Sequence, residues 1–202
     1  MKSVLFDRKQ VFPSKIVCVG RNYLTHIHEL NNDIPDEPVI FCKPNSALSD
    51  QVHYLKENRL EYEGELSFLI KQNELKGVGI GLDLTKRDIQ EDLKSKGLPW
   101  EKAKAFNNSA VFSKFISLSR FTSLSLNLFL NNILVQRANI DQMTYKPIAL
   151  LDYISKFISF DDNDILMTGT PKGVATYHKG DIFRGELLQG NKTLFQEQWT
   201  VI

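Results

Sequence analysis

The chain has 202 residues, a length that suits one domain and lets folding bury roughly 70% of the unfolded surface. Hydrophobic residues make up 42% and charged residues 24%, a globular balance that excludes a disordered chain. Set against 24 Asp and Glu, 25 Lys and Arg leave a formal charge of +1, which excludes a basic field for nucleic acid or an anionic membrane. No apolar run approaches the ~20 residues that span a bilayer. The opening Met1-Lys2-Ser3-Val4-Leu5-Phe6-Asp7 meets charge too early for a signal peptide. Cys18 and Cys42 lie in apolar runs without CxxC spacing and are expected as reduced core residues. A soluble, cytoplasmic protein is expected.

Strand patterns dominate. Short apolar runs at Lys15–Gly20 and Pro38–Lys43 are bounded by polar residues or proline. Longer ones at Glu61–Ile70 and Gly77–Leu84 flank a polar turn, Lys71-Gln72-Asn73-Glu74. In Leu124–Leu130 leucines alternate with Ser125, Asn127 and Phe129, and Asn131-Asn132 predicts a tight hairpin into Ile133–Gln136. Three more strands are expected at Asp164–Thr168, Asp181–Leu188 and Thr193–Ile202, the last two joined across Gly190-Asn191. Helices are fewer. Thr85 is expected to cap one, with Asp88 completing an approximate capping box and Gly97 ending it. Pro147 suits the first position of a second helix running to about Phe157, and a short helix is expected around Tyr23–Leu30. The fold class is therefore mostly β with short helices, an α+β rather than an alternating βαβ arrangement.

The strongest chemical signal is Glu61-Tyr62-Glu63-Gly64-Glu65. On a strand, Glu61, Glu63 and Glu65 share one face and repel unless water or a cation intervenes. An apolar run follows at once, so this face enters the interior. Oxygen donors of this kind suit Mg²⁺, with Asp83 at the end of the neighbouring strand as a further ligand. A solvated edge strand with acidic gatekeepers is the bland alternative. Gly77, Gly79 and Gly81 precede Asp83 with GxGxG rather than GxGxxG spacing, so close backbone approach is expected there, not a dinucleotide loop. If residues 23–30 are helical, His26 and Glu29 share a face and the carboxylate can orient the imidazole; a surface pair is the alternative. The loop Thr168-Gly169-Thr170-Pro171-Lys172-Gly173 lacks Walker spacing, but its hydroxyls and amides could hold a carboxylate, if it is not merely a tight turn.

Taken together, GRNYLTHIHEL (20–30), EPVIFCKP (37–44), EYEGEL (61–66), GLDLTKRDIQ (81–90), KGLPWEKAKAF (96–106) and LMTGTPKGV (166–174) resemble, in order, the fumarylacetoacetate hydrolase family. The likeness is to its short acylpyruvase-like branch. It implies a single catalytic domain over residues 1–202, with 1–14 as a short N-terminal leader, built as a mixed, rolled β-sandwich. It implies Mg²⁺ or Mn²⁺ as cofactor, a homodimer and a small 2-oxo acid substrate. Glu63, Glu65 and Asp83 fall on the metal carboxylates, and His26 and Glu29 on a lid-borne dyad. Lys104, Arg87 and Gln90 fall on groups around the substrate oxyanion, and Thr170 on the carboxylate-holding loop. Relatives of this branch often carry His at the place of Glu61 and a larger residue at that of Gly64.

The activity so implied is hydrolysis of the carbon–carbon bond in acylpyruvate-like 2-oxo acids, of the acylpyruvate or fumarylpyruvate type, through a metal-bound pyruvate enolate. His26, held by Glu29, activates water, and Lys104 and Gln90 stabilise the enolate. Oxaloacetate decarboxylation or tautomerisation, or isomerisation or hydration of a 2-oxo-diene acid, share that enolate and are alternatives. A non-catalytic binding protein of the same fold is an alternative of another class, disfavoured because the acidic ligands and the dyad are all present.

Overall fold

A computed structural model describes residues 1–23 and 36–202. In chain order its strands begin with β1 (Val4–Phe6), β2 (Lys9–Val11), β3 (Lys15–Gly20), β4 (Val39–Pro44) and β5 (Leu48–Ser49). They continue with β6 (Leu60–Tyr62), β7 (Gly64–Lys71), β8 (Glu74–Asp83) and β9 (Thr85–Lys86), then helices α1 (Arg87–Ser95) and α2 (Glu101–Lys104). After β10 (Ala110–Phe112) and β11 (Ile116–Ser117) come β12 (Leu124–Leu130), β13 (Ile133–Asn139) and helix α3 (Pro147–Ile154). The chain closes with β14 (Ile165–Met167), β15 (Ala175–Thr176), β16 (Ile182–Gln189) and β17 (Lys192–Thr200). This is the expected mostly-β architecture with few short helices.

The large sheet runs β4-β3-β14-β7-β8-β10-β5, with β11 also paired to β8; a four-stranded sheet runs β13-β12-β16-β17. The main core lies between them. Leu66 and Phe68 of β7 and Val78, Ile80 and Leu82 of β8 meet Leu124, Leu126 and Leu128 of β12, with Phe183, Leu187 and Trp199. The other face of the large sheet is covered in two places: by the β1–β2 hairpin with Phe112 and Phe115, and by Leu150, Leu151 and Ile154 of α3. Covered on both faces, β7 is buried from Gly64 to Ile70, which is why it reads as a continuous apolar run.

Several expectations are corrected by tertiary contacts. The strand expected over 61–70 breaks at Glu63: β6 pairs with β9 and β15 in a small sheet, while β7 pairs with β8 and β14 in the large one. Thr85 caps nothing. It lies in β9, the cap position of α1 is Lys86, and no side chain bonds the cap. Gly97 does close the helix at φ 63°, its N–H donating to the Lys94 carbonyl at 3.2 Å. Within residues 1–14 lies the β1–β2 hairpin, in which Val4 pairs with Val11 and the Leu5 carbonyl accepts from the Phe115 N–H at 2.7 Å. The hairpin at Asn131-Asn132 forms as expected, with both residues at positive φ and Leu130 opposite Ile133. Of the helix expected over 23–30, only Tyr23 is described, in an isolated bridge with Met143; the rest lies outside the described residues.

The glycines of β8 answer to aromatic packing. A Cβ at Gly77 would stand 2.9 Å from Phe6 Cε2, one at Gly79 3.0 Å from Phe115 Cδ1, and one at Gly81 2.4 Å from Ser67 Oγ and 2.9 Å from Phe112 Cε1. The bare strand lets three rings pack against the sheet along the run that leads to Asp83. Gly81→Ala, with Met167, Ser67 and Phe112 all too near, is expected to lower stability by about 1–3 kcal/mol in urea unfolding, the usual cost of overpacking. A loss within ~0.5 kcal/mol, the range of a surface change, would show that the contacts are soft.

Candidate active site

Glu63, at the break between β6 and β7, and Asp83, at the end of β8, face each other: the Asp83 N–H donates to the Glu63 carbonyl at 2.9 Å. Glu65 lies two residues along β7 on the same face, opposite Gly81. The strand geometry therefore converges three buried carboxylates, with one oxygen of each within 4.8 Å of the others.

Three buried cations hold this cluster. Lys104 Nζ, from α2, donates to Glu63 Oε2 at 2.8 Å, Asp83 Oδ2 at 2.9 Å and Thr85 Oγ1 at 2.7 Å. Burial works against its charge, but Asp83 and then Glu63 outweigh that and raise its pKa, so it stays an ammonium. Lys43 Nζ, fully buried on β4, stands 2.8 Å from Asp83 Oδ1 and is anchored by the Ser109 carbonyl and hydroxyl and the Lys104 carbonyl. Arg87, opening α1, bridges Glu61 Oε2 at 2.5 Å and Glu63 Oε1 at 2.7 Å, and donates to Gln90 Oε1 at 2.5 Å. With its oxygen taken by Arg87, Gln90 turns its NH₂ donors outward.

Glu65 has no cation partner among the described residues; the Gly169 N–H donates to its Oε2 at 2.8 Å. Burial, then the charges of Asp83 and Glu63, push its pKa well above the usual carboxylate range. Glu61 is set apart from the convergent trio, engaged by Arg87 and Arg59. A compact set of hard oxygen donors, one of which, Glu65, has no ion-pair partner among the described residues, fits a divalent cation of the Mg²⁺ or Mn²⁺ kind.

These groups open into a cleft of about 420 Å³, including its mouth, lined by Arg21, Phe41, Trp100, Glu63, Arg87, Gln90, Lys94, Lys104 and Thr170. The structure thus brings Glu63, Arg87, Gln90, Lys104 and Thr170 to one cleft and sets Glu65 and Asp83 beside Glu63. Thr170 arrives differently from expectation. Its hydroxyl donates to the Gly64 carbonyl at 3.0 Å and accepts from Gln136 Nε2 at 2.8 Å, so its proton is already committed to the strand break. His26 and Glu29 lie outside the described residues. Sequence reasoning missed Lys43, Gln136 and Lys94. A lysine inside the apolar run 38–43 is the signal for the first, and position 94, four beyond Gln90 on one helix face, for the last. Gln136, whose Oε1 accepts from the Gly64 N–H at 2.8 Å, carries no local signal.

A rolled β fold enclosing a carboxylate trio, an ammonium and a guanidinium in one cleft defines a candidate cation-dependent site for an oxyanionic ligand. Residues 15–197 match the fumarylacetoacetate (FAA) hydrolase C-terminal family, and the chain belongs to that family. It is 39% identical over 187 residues to the oxaloacetate tautomerase YcgM of Escherichia coli K12, covering 83% of this chain and 85% of that one. It is 35% identical over 184 residues to the mitochondrial oxaloacetate tautomerase FAHD1 of Mus musculus, covering 82% and 83%. Its fold superposes with a TM-score of 0.90, at 27% identity and over 100% and 95% of the two chains, on a fumarylpyruvate hydrolase from Pseudomonas aeruginosa solved with Mn²⁺ and pyruvate. No described helix is long and apolar enough to cross a membrane.

Removing the negative charge from Glu65 is expected to weaken Mg²⁺ binding at least tenfold more than the same change at Glu61; equal losses of Glu65→Gln and Glu61→Gln in calorimetry would overturn the trio. The raised pKa of Glu65 fixes a sign as well. Between the unfolded carboxylate value of ~4.3 and the raised folded value, the native state holds the extra proton, so the metal-free chain loses stability as pH rises. Mg²⁺ must displace that proton, so its stabilising effect grows over the same window. Melting temperatures in EDTA and in Mg²⁺ across pH 5–8 check this, with Glu65→Gln expected to abolish the Glu65 contribution to the slope.

Proposed function

We propose that this chain is a divalent-cation-dependent enzyme of 2-oxo acids whose principal reaction is keto–enol tautomerisation of oxaloacetate. The observation that carries the reading is the convergence of Glu63, Glu65 and Asp83 beside Lys104 and Gln90 at one cleft. The names of the most similar relatives favour tautomerisation over cleavage. Mg²⁺ or Mn²⁺ bound by the trio supplies a Lewis acid for the 2-oxo carboxylate end of the substrate.

The chain's own residues do the rest. Lys104, held as an ammonium, and the outward NH₂ of Gln90 stabilise the negative oxygen of the enolate. Arg87 fixes both Glu63 and the orientation of Gln90 and so acts as a positioning residue. With its hydroxyl proton committed, Thr170 serves the substrate carboxylate through its backbone N–H. Proton transfer at the carbon beside the 2-oxo group falls to His26, oriented by Glu29. The same reading keeps the single catalytic domain over 1–202, the homodimer and cytoplasmic action expected from the sequence.

A second reading, hydrolysis of acylpyruvates, is favoured by the similarity to a fumarylpyruvate hydrolase. It uses the same enolate but also needs an activated water. The discriminating assay follows loss of oxaloacetate enol absorbance beside cleavage of acylpyruvate and fumarylpyruvate, after EDTA treatment, with and without Mg²⁺. Mg²⁺-dependent enol loss exceeding cleavage is expected; the reverse order would replace the first reading by the second. His26→Ala is expected to slow the favoured reaction by about 10²–10⁴-fold, the usual worth of a positioned proton-transfer group, while Mg²⁺ binding survives. Oxalate, a planar mimic of the enolate, is expected to raise the melting temperature only with Mg²⁺ present, by the equivalent of about 2.7 kcal/mol at a hundredfold excess over Kd. Stabilisation without the metal would instead indicate a simple basic anion site.

A further inference from the structure

Helix α1 presents more to the cleft than the two residues used above. Positions 87, 90 and 94 are spaced three and four apart and share one face, and all three side chains line the cleft. Arg87 is bound to Glu61 and Glu63, and Gln90 to Arg87. Lys94 is different. Among the described residues its ammonium meets no carboxylate; it lies over the Trp100 ring, 5.0 Å from the centroid. Every other lysine or arginine of known pairing in the site, namely Lys43, Arg87 and Lys104, has a carboxylate oxygen within 2.9 Å.

Position also matters. Seven residues of helix rise by about 10 Å, so the Cα of Lys94 lies well beyond that of Arg87 along the cleft wall. The Lys94 side chain lines the same cleft as that of Gln90, which lies one turn nearer the N-terminus. Trp100 supplies an apolar wall beside Lys94, and Phe41, 6.0 Å from it between ring centroids, continues that wall toward Lys104. Half-buried beside Arg87 and Arg21, the ammonium is costly to keep charged: burial, then Arg87 and Arg21, lower its pKa to about 8, against Glu63, which favours the charge. A bound anion relieves that cost further, and no carboxylate of the described residues stands at ion-pair distance from it.

We infer that Lys94 is a specificity residue that receives the second carboxylate of a dicarboxylic 2-oxo acid, whose first carboxylate and 2-oxo group lie at the Glu63–Glu65–Asp83 end. The inference rests on the 2-oxo acid reading above and narrows it to substrates charged at both ends. Lys94 touches no reacting atom in this arrangement; it selects and holds the distal end.

The test compares oxaloacetate with its 4-ethyl ester, which lacks charge at the distal end, on the wild-type chain, Lys94→Met and Lys94→Arg, all loaded with Mg²⁺. Methionine keeps the length and the contact with Trp100 but removes the charge. Lys94→Met is expected to raise KM for oxaloacetate about 10–100-fold, the loss of one charged hydrogen bond, with kcat changed less than threefold. The ester is expected to shift less than threefold, and Lys94→Arg to restore oxaloacetate KM to within about fivefold. Equal effects on both substrates, or none, would overturn the subsite. A collapse of kcat for both would make Lys94 a proton-transfer group and overturn it too. Mg²⁺-dependent stabilisation by oxalate, which has no distal end, is measured in parallel and is expected to be the same in all three proteins. If the wild-type chain neither turns over either substrate nor binds oxalate with Mg²⁺, the 2-oxo acid reading itself falls, and the subsite with it.

Discussion

The fold is organised around an electrostatic problem: three carboxylates, Glu63, Glu65 and Asp83, are taken almost wholly out of water and pressed together. Like charges at this depth cost several kcal/mol each unless cations and hydrogen bonds offset them. Lys43, Arg87 and Lys104 arrive from three separate elements, β4, α1 and α2, and each reaches the cluster by its full length. The elements are therefore tied to one another through charge as well as through apolar packing. Breaking any one pair leaves an uncompensated buried ion, so the cluster is a structural keystone before it is a chemical one. Glu65, without an ion-pair partner among the described residues, is the point where the balance stays open.

That constraint explains which parts were legible in the sequence. Period-two alternation located β12 because it has one buried and one wetter face, and the Asn131-Asn132 turn located β13 beside it. β7 read as a plain apolar run because both of its faces are covered. The break at Glu63 was not legible: Tyr62 and Gly64 give no local stop signal, and the chain changes sheets there because Arg87 and Gln136 hold the two sides, from 24 and 72 residues away. Thr85 looked like a helix cap because its hydroxyl suits one, yet Lys104 binds it instead. A long-range charged hydrogen bond overrode a local preference worth about 1 kcal/mol. The short strands of residues 1–14 and 110–117 have too few residues for a period to show.

The site divided along the same line. Glu63, Glu65, Asp83, Arg87 and Gln90 lie on regular elements whose spacing already predicted shared faces, or in segments whose order carried the family resemblance. Lys43 and Gln136 act only through partners distant in sequence, so beyond the oddity of a lysine in an apolar run nothing local gives their roles. Gly64 is illuminating here. A Cβ at that place would stand 2.8 Å from Leu128 Cδ2 and 3.0 Å from Gln136 Oε1, so the small residue and the Gln136 brace belong together. Glu61, likewise, has an occupation of its own in pairing with Arg87 and Arg59. Both positions are thus tied to the cluster through neighbours, Gly64 through Gln136 and Glu61 through Arg87.

The protonation of the cleft bears on what chemistry its described walls can perform. Lys104 is locked as an ammonium between two carboxylates, and Arg87 is held charged by Glu63 and Glu61, so both give electrostatic support and neither takes a proton near neutral pH. Glu63 has its two oxygens engaged by Arg87 and Lys104. Stabilising an oxyanion needs only such fixed charges, and they are already in place without reorganisation. Moving a proton needs a group whose pKa lies near the working pH. Lys104, Arg87 and Glu63 thus hold charge, while Lys94, its pKa lowered to about 8 by burial and by Arg87 and Arg21, is the described cleft group nearest that range. The fixed set of charges does not itself choose the proton carrier. It gives one electrostatic cradle to reactions that differ in where the proton goes.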